Sequence, residues 1–98
     1  MQMEKEEDDR RIRLAVSGAL TIDAMEALHS RLLAEQKTGK DIRILLGKVD
    51  ACDIYGVQLL ISACTPSGIH TGKTVMEDMP AHMAAYCRRI GFDTETVL

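Results

Sequence analysis

The sequence predicts a small α/β fold built on an open sheet with parallel crossovers, and three observations carry that prediction. Arg11-Ile12-Arg13-Leu14-Ala15-Val16 alternates strictly between polar and apolar, the period of a strand with one buried face. Ile42 to Leu46 is a short apolar run of the kind that forms a buried parallel strand, and the pattern after it switches to helical spacing through Val57, Leu60, Ile61 and Cys64. The last segment has Pro80 where a helix begins and Gly91 where it ends. Strand, helix, strand, helix, strand, helix is the order of an open α/β sheet whose crossovers are right-handed.

Each element has its own local reason. The alternation over 11–17 places Ile12, Leu14 and Val16 on one face, which implies a sheet covered on one side only. Ser17-Gly18 then reads as a turn, and Thr21 or Asp23 can cap a helix over 23–37, Asp23 standing three residues before Glu26 as in a capping box. Met25, Leu28 and Leu32 form its buried stripe, with Lys37 in the last turn and Gly39 just beyond. A strand over 41–46 and a helix over 56–65 follow, and Pro66 bends or ends that helix. Thr74 and Val75 favour a short strand over 73–76. Met79, Met83, Tyr86, Cys87 and Ile90 recur at helical spacing over 80–90, with Gly91 as a left-handed cap and Phe92 folding back on the last turn. Leu14, Leu28, Ile44, Leu60, Ile61, Met83 and Ile90 are the expected core.

A chain of 98 residues, 46% hydrophobic and 28% charged, matches one domain with a single core. Its net charge of −3 equals that of the first ten residues, where Glu4, Glu6, Glu7, Asp8 and Asp9 outweigh Lys5 and Arg10. Residues 1–10 therefore read as a solvated acidic leader and residues 11–98 as the domain. The body is electrically neutral and offers no basic field for nucleic acid or an anionic membrane. Neither a secretory h-region nor a long apolar run is present, so a soluble cytoplasmic chain without membrane insertion is expected. Cys52, Cys64 and Cys87 lack metal or redox spacing and read as reduced, partly buried thiols.

Function concentrates in Asp50-Ala51-Cys52-Asp53-Ile54-Tyr55-Gly56-Val57-Gln58-Leu59-Leu60, where a strand turns into a helix. Asp53 suits a helix start because a carboxylate accepts backbone N–H bonds and complements the dipole, and Gly56 suits an unusual turn. This stretch resembles the signature loop of the STAS family, the sulfate transporter and anti-sigma-factor antagonist domains, which carry Asp-Ser/Thr-Ser/Ala/Gly-Gly there. The resemblance spans roughly residues 12 to 93 and implies a four- to five-stranded, mostly parallel mixed sheet with helices mainly on one face. It also implies a first strand near residues 1 to 8, for which this sequence is poor. Ile54 occupies the phosphoacceptor position and has no hydroxyl, Tyr55 replaces a small residue, and Leu45 stands where many members hold an Asp or Asn lining the site.

Other motifs compete. Gly72-Lys73-Thr74 looks like the end of a phosphate-binding loop, but Ser67 replaces the first glycine, and a strand rather than a helix is expected to follow. His29, His70 and His82 fall on different elements without ligand spacing, so no metal and no cofactor is expected. A triad of Ser62, His82 and Asp53 lacks a nucleophile elbow. Met76, Met79 and Met83 either line a soft surface or fill the core. Tyr55 is either a partner anchor or a ring folded over the sheet edge, and Gln58, Ser62 and Thr65 form the polar face of its helix.

The resulting expectation is a non-enzymatic protein-interaction module of the anti-sigma-factor antagonist or chemotaxis-associated type. Asp53, Ile54, Tyr55, Gly56, Gln58 and Ser62 form its contact surface, and the phosphoswitch is absent at Ile54. Its partner would be an anti-sigma kinase, a chemotaxis protein or a transporter ATPase, and a homodimer is allowed. Two alternatives stand beside it: the STAS subunit of a lipid-transport ABC system gripping its ATPase, and a nucleotide-binding domain using Gly72-Lys73-Thr74.

Overall fold

Burial alternates along Arg11–Leu20 and Asp41–Cys52, and these segments become the two inner strands of a four-stranded sheet. The computed structural model describes residues 1–64 and 72–89. Its sheet runs β1 (Gln2–Glu7), β2 (Arg11–Leu20), β3 (Asp41–Cys52), β4 (Thr74–Glu77). Helix α1 (Met25–Gln36) connects β2 to β3, α2 (Ile54–Cys64) follows β3, and α3 (Ala81–Arg89) follows β4. β3 pairs in parallel with both β2 and β4, while β1 is antiparallel to β2.

One face of the sheet meets the helices. Ile12, Leu14 and Val16 of β2, Ile42, Ile44 and Leu46 of β3, and Met76 of β4 are buried there under Leu28 and Leu32, Val57 and Leu60, and Met83 and Cys87. Each such side chain contributes roughly 1.5–3 kcal/mol by leaving water, which makes this layer the main source of stability. The opposite face carries Arg11, Arg13, Ala15, Asp41, Arg43 and Leu45, exposed or half-buried, so among the described residues the sheet is covered on one side, as the alternation implies. Five of the expected core residues are fully buried; Ile61 is half-buried against the core, and Ile90 lies outside the described residues, with Gly91, Phe92 and Pro66. Met76 and Met83 fill the core and Met79 packs against it.

Several local expectations are corrected. Residues 2–7 are not a detached leader but the edge strand β1, whose Met3, Lys5 and Glu7 pair with Val16, Leu14 and Ile12 on the helix side while Glu4 and Glu6 face outward. Lys5 Nζ reaches both carboxylate oxygens of the buried Glu35 on α1, at 3.1 and 2.9 Å, and this bond fastens the acidic segment to the body. Ser17-Gly18 does not turn the chain: Gly18, at φ 84°, lies inside β2 where the register with β3 shifts. β3 spends 12 residues against the 10 of β2, and the two bulges carry the strand to Cys52 rather than 46. The capping box does not form, because α1 begins behind a 3-10 turn at Ile22–Ala24 with no side-chain cap from Thr21 or at Ala24. Gly39 does close α1 with φ 76°.

Candidate functional site

The carboxyl ends of two parallel strands and the start of the following helix make the position at which open α/β sheets usually present a site. Leu20 and Cys52 are register partners there. The Asp53 N–H donates to the Leu20 carbonyl at 3.2 Å. Both carboxylate oxygens of Asp53 are then used: Oδ1 accepts the Gly56 N–H at 3.1 Å, which caps α2, and Oδ2 accepts the Ile22 N–H at 2.9 Å, which caps the 3-10 turn from 31 residues away. One side chain thus holds two helical starts.

Gly56 is required for a different reason from the one its turn position suggests. It sits inside α2, which begins at Ile54, and a Cβ there would collide with the Leu20 carbonyl oxygen. Backbone meets backbone, so the helix can start this close to β2 only with glycine. Ile54 and Tyr55 therefore stand in the first helical turn and not in a loop.

Tyr55 is 53% exposed and Ile22 58%, two of the most exposed large apolar residues among those described, and Asp53 ties both to one frame. Gln58 and Ser62 are exposed on α2, while Thr65 lies outside the described residues. Sequence reasoning missed Ile22, because at three residues before Met25 it imitates a member of the buried stripe. The one signal that could have found it is Thr21-Ile22-Asp23 following a strand, which places Ile22 at a helix start where side chains often face solvent.

A second polar pair flanks this end. The Val49 carbonyl can only accept, so in the neutral ring His82 Nε2 carries the proton at 3.2 Å and leaves Nδ1 to accept from the Cys52 thiol at 3.6 Å. Burial, and then the charge of Asp53, push that thiol up, the reverse of what a reactive thiolate needs. Cys87 is likewise raised by burial and Cys64 is pushed up to about 12, and all three thiols are free.

The remaining motifs scatter. Ser62, His82 and Asp53 are not joined by any hydrogen bond among the described residues: His82 serves Cys52 and Val49, and Asp53 serves Ile22 and Gly56. No cluster of three metal-ligating side chains occurs among the described residues. Gly72-Lys73-Thr74 runs into β4, with Lys73 N–H donating to Asp41 at 2.9 Å and Thr74 Oγ1 accepting from Gln36 at 3.3 Å. That tripeptide fastens a strand, whereas a phosphate loop needs a helix start. His70 and Ser67 lie outside the described residues. Leu45 does not line the Asp53 end; it sits on the open face, paired with Ala15 and Glu77, because the bulged β3 extends well past it.

Comparison with known proteins bears on this geometry. Residues 3–98 match the family model described as Mlab, STAS domain. The solved structure of the anti-sigma factor antagonist SpoIIAA in its unphosphorylated form is similar at a TM-score of 0.66 and 17% identity, over 93% of this chain and 84% of that one. A crystal structure of Mglu is similar at a TM-score of 0.68 and 19% identity, over 80% of this chain and 20% of that one, so this chain spans about a fifth of its length. At such identities the likeness is one of fold. No curated protein matches the sequence.

Proposed function

The chain belongs to the STAS family, and on that premise we propose that it is a non-enzymatic protein-interaction module of the anti-sigma-factor antagonist or chemotaxis-associated kind, working in the cytoplasm without the usual Ser/Thr phosphoswitch. The observation that carries the reading is the exposed pair Ile22 and Tyr55 on a frame pinned by Asp53 and Gly56. An apolar anchor on a rigid frame binds with little ordering cost, and aromatic anchors dominate interface energies. Gln58 and Ser62 extend the surface along α2 as a polar rim.

Phosphorylation regulates by adding about −1.5 to −2 charges where a partner must dock. Ile54 has no side-chain oxygen to receive that group, which supports constitutive contact here over a switch moved to another hydroxyl such as Ser62 or Tyr55. A second reading makes the chain the STAS subunit of a lipid-transport ABC system whose ATPase takes the same surface. It is favoured by the family model, which carries the name Mlab and not that of an anti-sigma-factor antagonist. No helix among the described residues is long and apolar enough to cross a membrane.

The test isolates the tagged chain with its partner from the source cell, adds ATP, and follows both the complex and the mass of the chain. The expected result is an unmodified chain, a complex that persists, and a loss of affinity of about tenfold or more in Tyr55→Ala. A stoichiometric phosphate on Ser62 or Tyr55 would show a displaced switch and end the constitutive reading. Identification of the captured protein as a kinase or as a transporter ATPase separates the two readings.

A further inference from the structure

The face of the sheet that carries no helix among the described residues is divided by charge. Its outermost row, on β1, is acidic through Glu4 and Glu6; the neighbouring row, on β2, is basic through Arg11 and Arg13; and the row on β3 is mixed, with Asp41 beside Arg11 and Arg43 beside Arg13. Register sets Glu6 beside Arg13 and Arg13 beside Arg43. Arg43 is relieved by Glu77 at 3.0 Å, but among the described residues no side-chain ion pair closes on Arg11, Arg13, Glu4 or Glu6. Arg13 thus stands between Glu6 on one side and Arg43 on the other, and the two adjacent guanidiniums repel. A groove of about 440 Å³ runs between these rows, lined by Glu6, Glu7, Asp8, Arg11, Arg13 and Arg43. A smaller depression of about 140 Å³ has Ala15 and Leu45 in its lining.

We propose that this face is a self-association surface, and that its occupant is a second copy of this chain. A small anion drawn to the arginines would meet Glu6 and Asp8, and a cation would meet the arginines; only a surface holding both signs in opposite order satisfies both rows. A second copy has that surface. A two-fold axis lying along the strands between β1 and β2 sets β1 of each copy over β2 of the other. Because such an axis preserves height along the strand, Glu6 of one copy faces Arg13 of the other, twice. Face-to-face sheets stand about 10 Å apart, a gap that Glu and Arg side chains span, and the small Ala15 keeps the centre open to approach. The contact is rich in exposed charge, so the dimer is weak and salt-sensitive. It lies across the sheet from the helices and leaves α2 and Tyr55 free, so it is independent of the surface proposed above.

The test is sedimentation of the full chain at rising concentration in low and high salt. Reversible dimerisation that salt suppresses is expected. Arg13→Glu and Glu6→Arg should each weaken it at least about tenfold, since each places like charges opposite one another. An equimolar mixture of the two variants should restore the dimer, because each then supplies what the other lacks, and this recovery also shows that both variants fold. The double variant Glu6→Arg with Arg13→Glu in one chain should dimerise like the wild type, and Tyr55→Ala should not alter it. A wild-type chain that stays monomeric to about 1 mM, a dimer indifferent to either reversal, or a mixture that fails to recover would each overturn the proposal. A monomer that binds inorganic phosphate through Arg13 would overturn it too, assigning the groove to an anion.

Discussion

At the carboxyl ends of β2 and β3 the molecule is held by shape: Gly56 lies against the Leu20 carbonyl and Asp53 gives its two oxygens to two backbone N–H groups. Along the outer edge, β1 is held by charge. Lys5 pairs with Glu35 and, at 3.2 Å, with Glu7, and Lys40 pairs with Glu7 at 2.9 Å and with the Asp8 carbonyl at 2.9 Å. A backbone contact has no tolerance and no salt dependence, whereas ion pairs at a partly exposed edge yield gradually. The first arrangement suits a surface that must stay in one geometry, and the second suits an edge that must only stay attached.

The largest effect expected from breaking this contrast is Gly56→Ala. In an ordinary helix that exchange gains up to about 1 kcal/mol from propensity. Here the new methyl has to push α2 off β2, and a net loss of about 3 kcal/mol is expected in urea denaturation, the sign itself being the diagnostic. A stabilised variant would mean that α2 can slide away from Leu20 without cost.

Asp53→Ala comes next, with an expected loss of about 1–2 kcal/mol, because two N–H groups lose their acceptor. Asp53→Asn sharpens the point. Gly56 and Ile22 bond different carboxylate oxygens, and in the amide one of these is replaced by an NH2 that cannot accept, so one bond is kept and about half of the loss should be recovered. Full recovery would show that one of the two bonds contributes nothing.

What was legible follows the same division. Asp53, Gly56 and the α2 stripe are local chemistry, and both the junction and the parallel pairing beside it could be read from spacing. The bond from Asp53 to Ile22 crosses 31 residues, so neither the failed capping box nor the exposure of Ile22 could be seen. β1 was hidden because its inward row is Met3, Lys5 and Glu7, two of them charged, with partners at Glu35 and Lys40. An alternation that depends on distant partners reads as a plain acidic run. Gly18 misled because a left-handed glycine serves a bulge as readily as a turn, and the bulges in turn moved the end of β3 past the point where its apolar run stops.

The smallest expected effect lies at the edge and depends on pH. Lys40 first, and then Lys5, hold the Glu7 carboxyl below its usual range, and the backbone N–H groups of Arg10 and Arg11 do the same for Asp8 at the turn. The hydrogen bonds that Lys5 itself donates to Glu35 and then Glu7 raise its ammonium above the usual value. An acid with a lowered native value stabilises the fold above its unfolded value and ceases to do so as pH falls through the native one. A lysine with a raised value stabilises at neutral pH and ceases to do so only as pH climbs through that raised value. The attachment of β1 should therefore be flat across neutral pH, weaken as pH drops below the ordinary carboxylate range, and weaken again in strong alkali. Amide exchange read by NMR should show Met3 and Lys5 losing protection in acid while Ile44 at the sheet centre keeps it, since no ionisable side chain secures Ile44. Added salt should move β1 in the same direction, because the pairs are partly exposed. Should the β1 amides stay protected in acid and in salt, the backbone ladder to β2 and the packing of Met3 would hold the edge by themselves, and both ends of the sheet would then be held by shape.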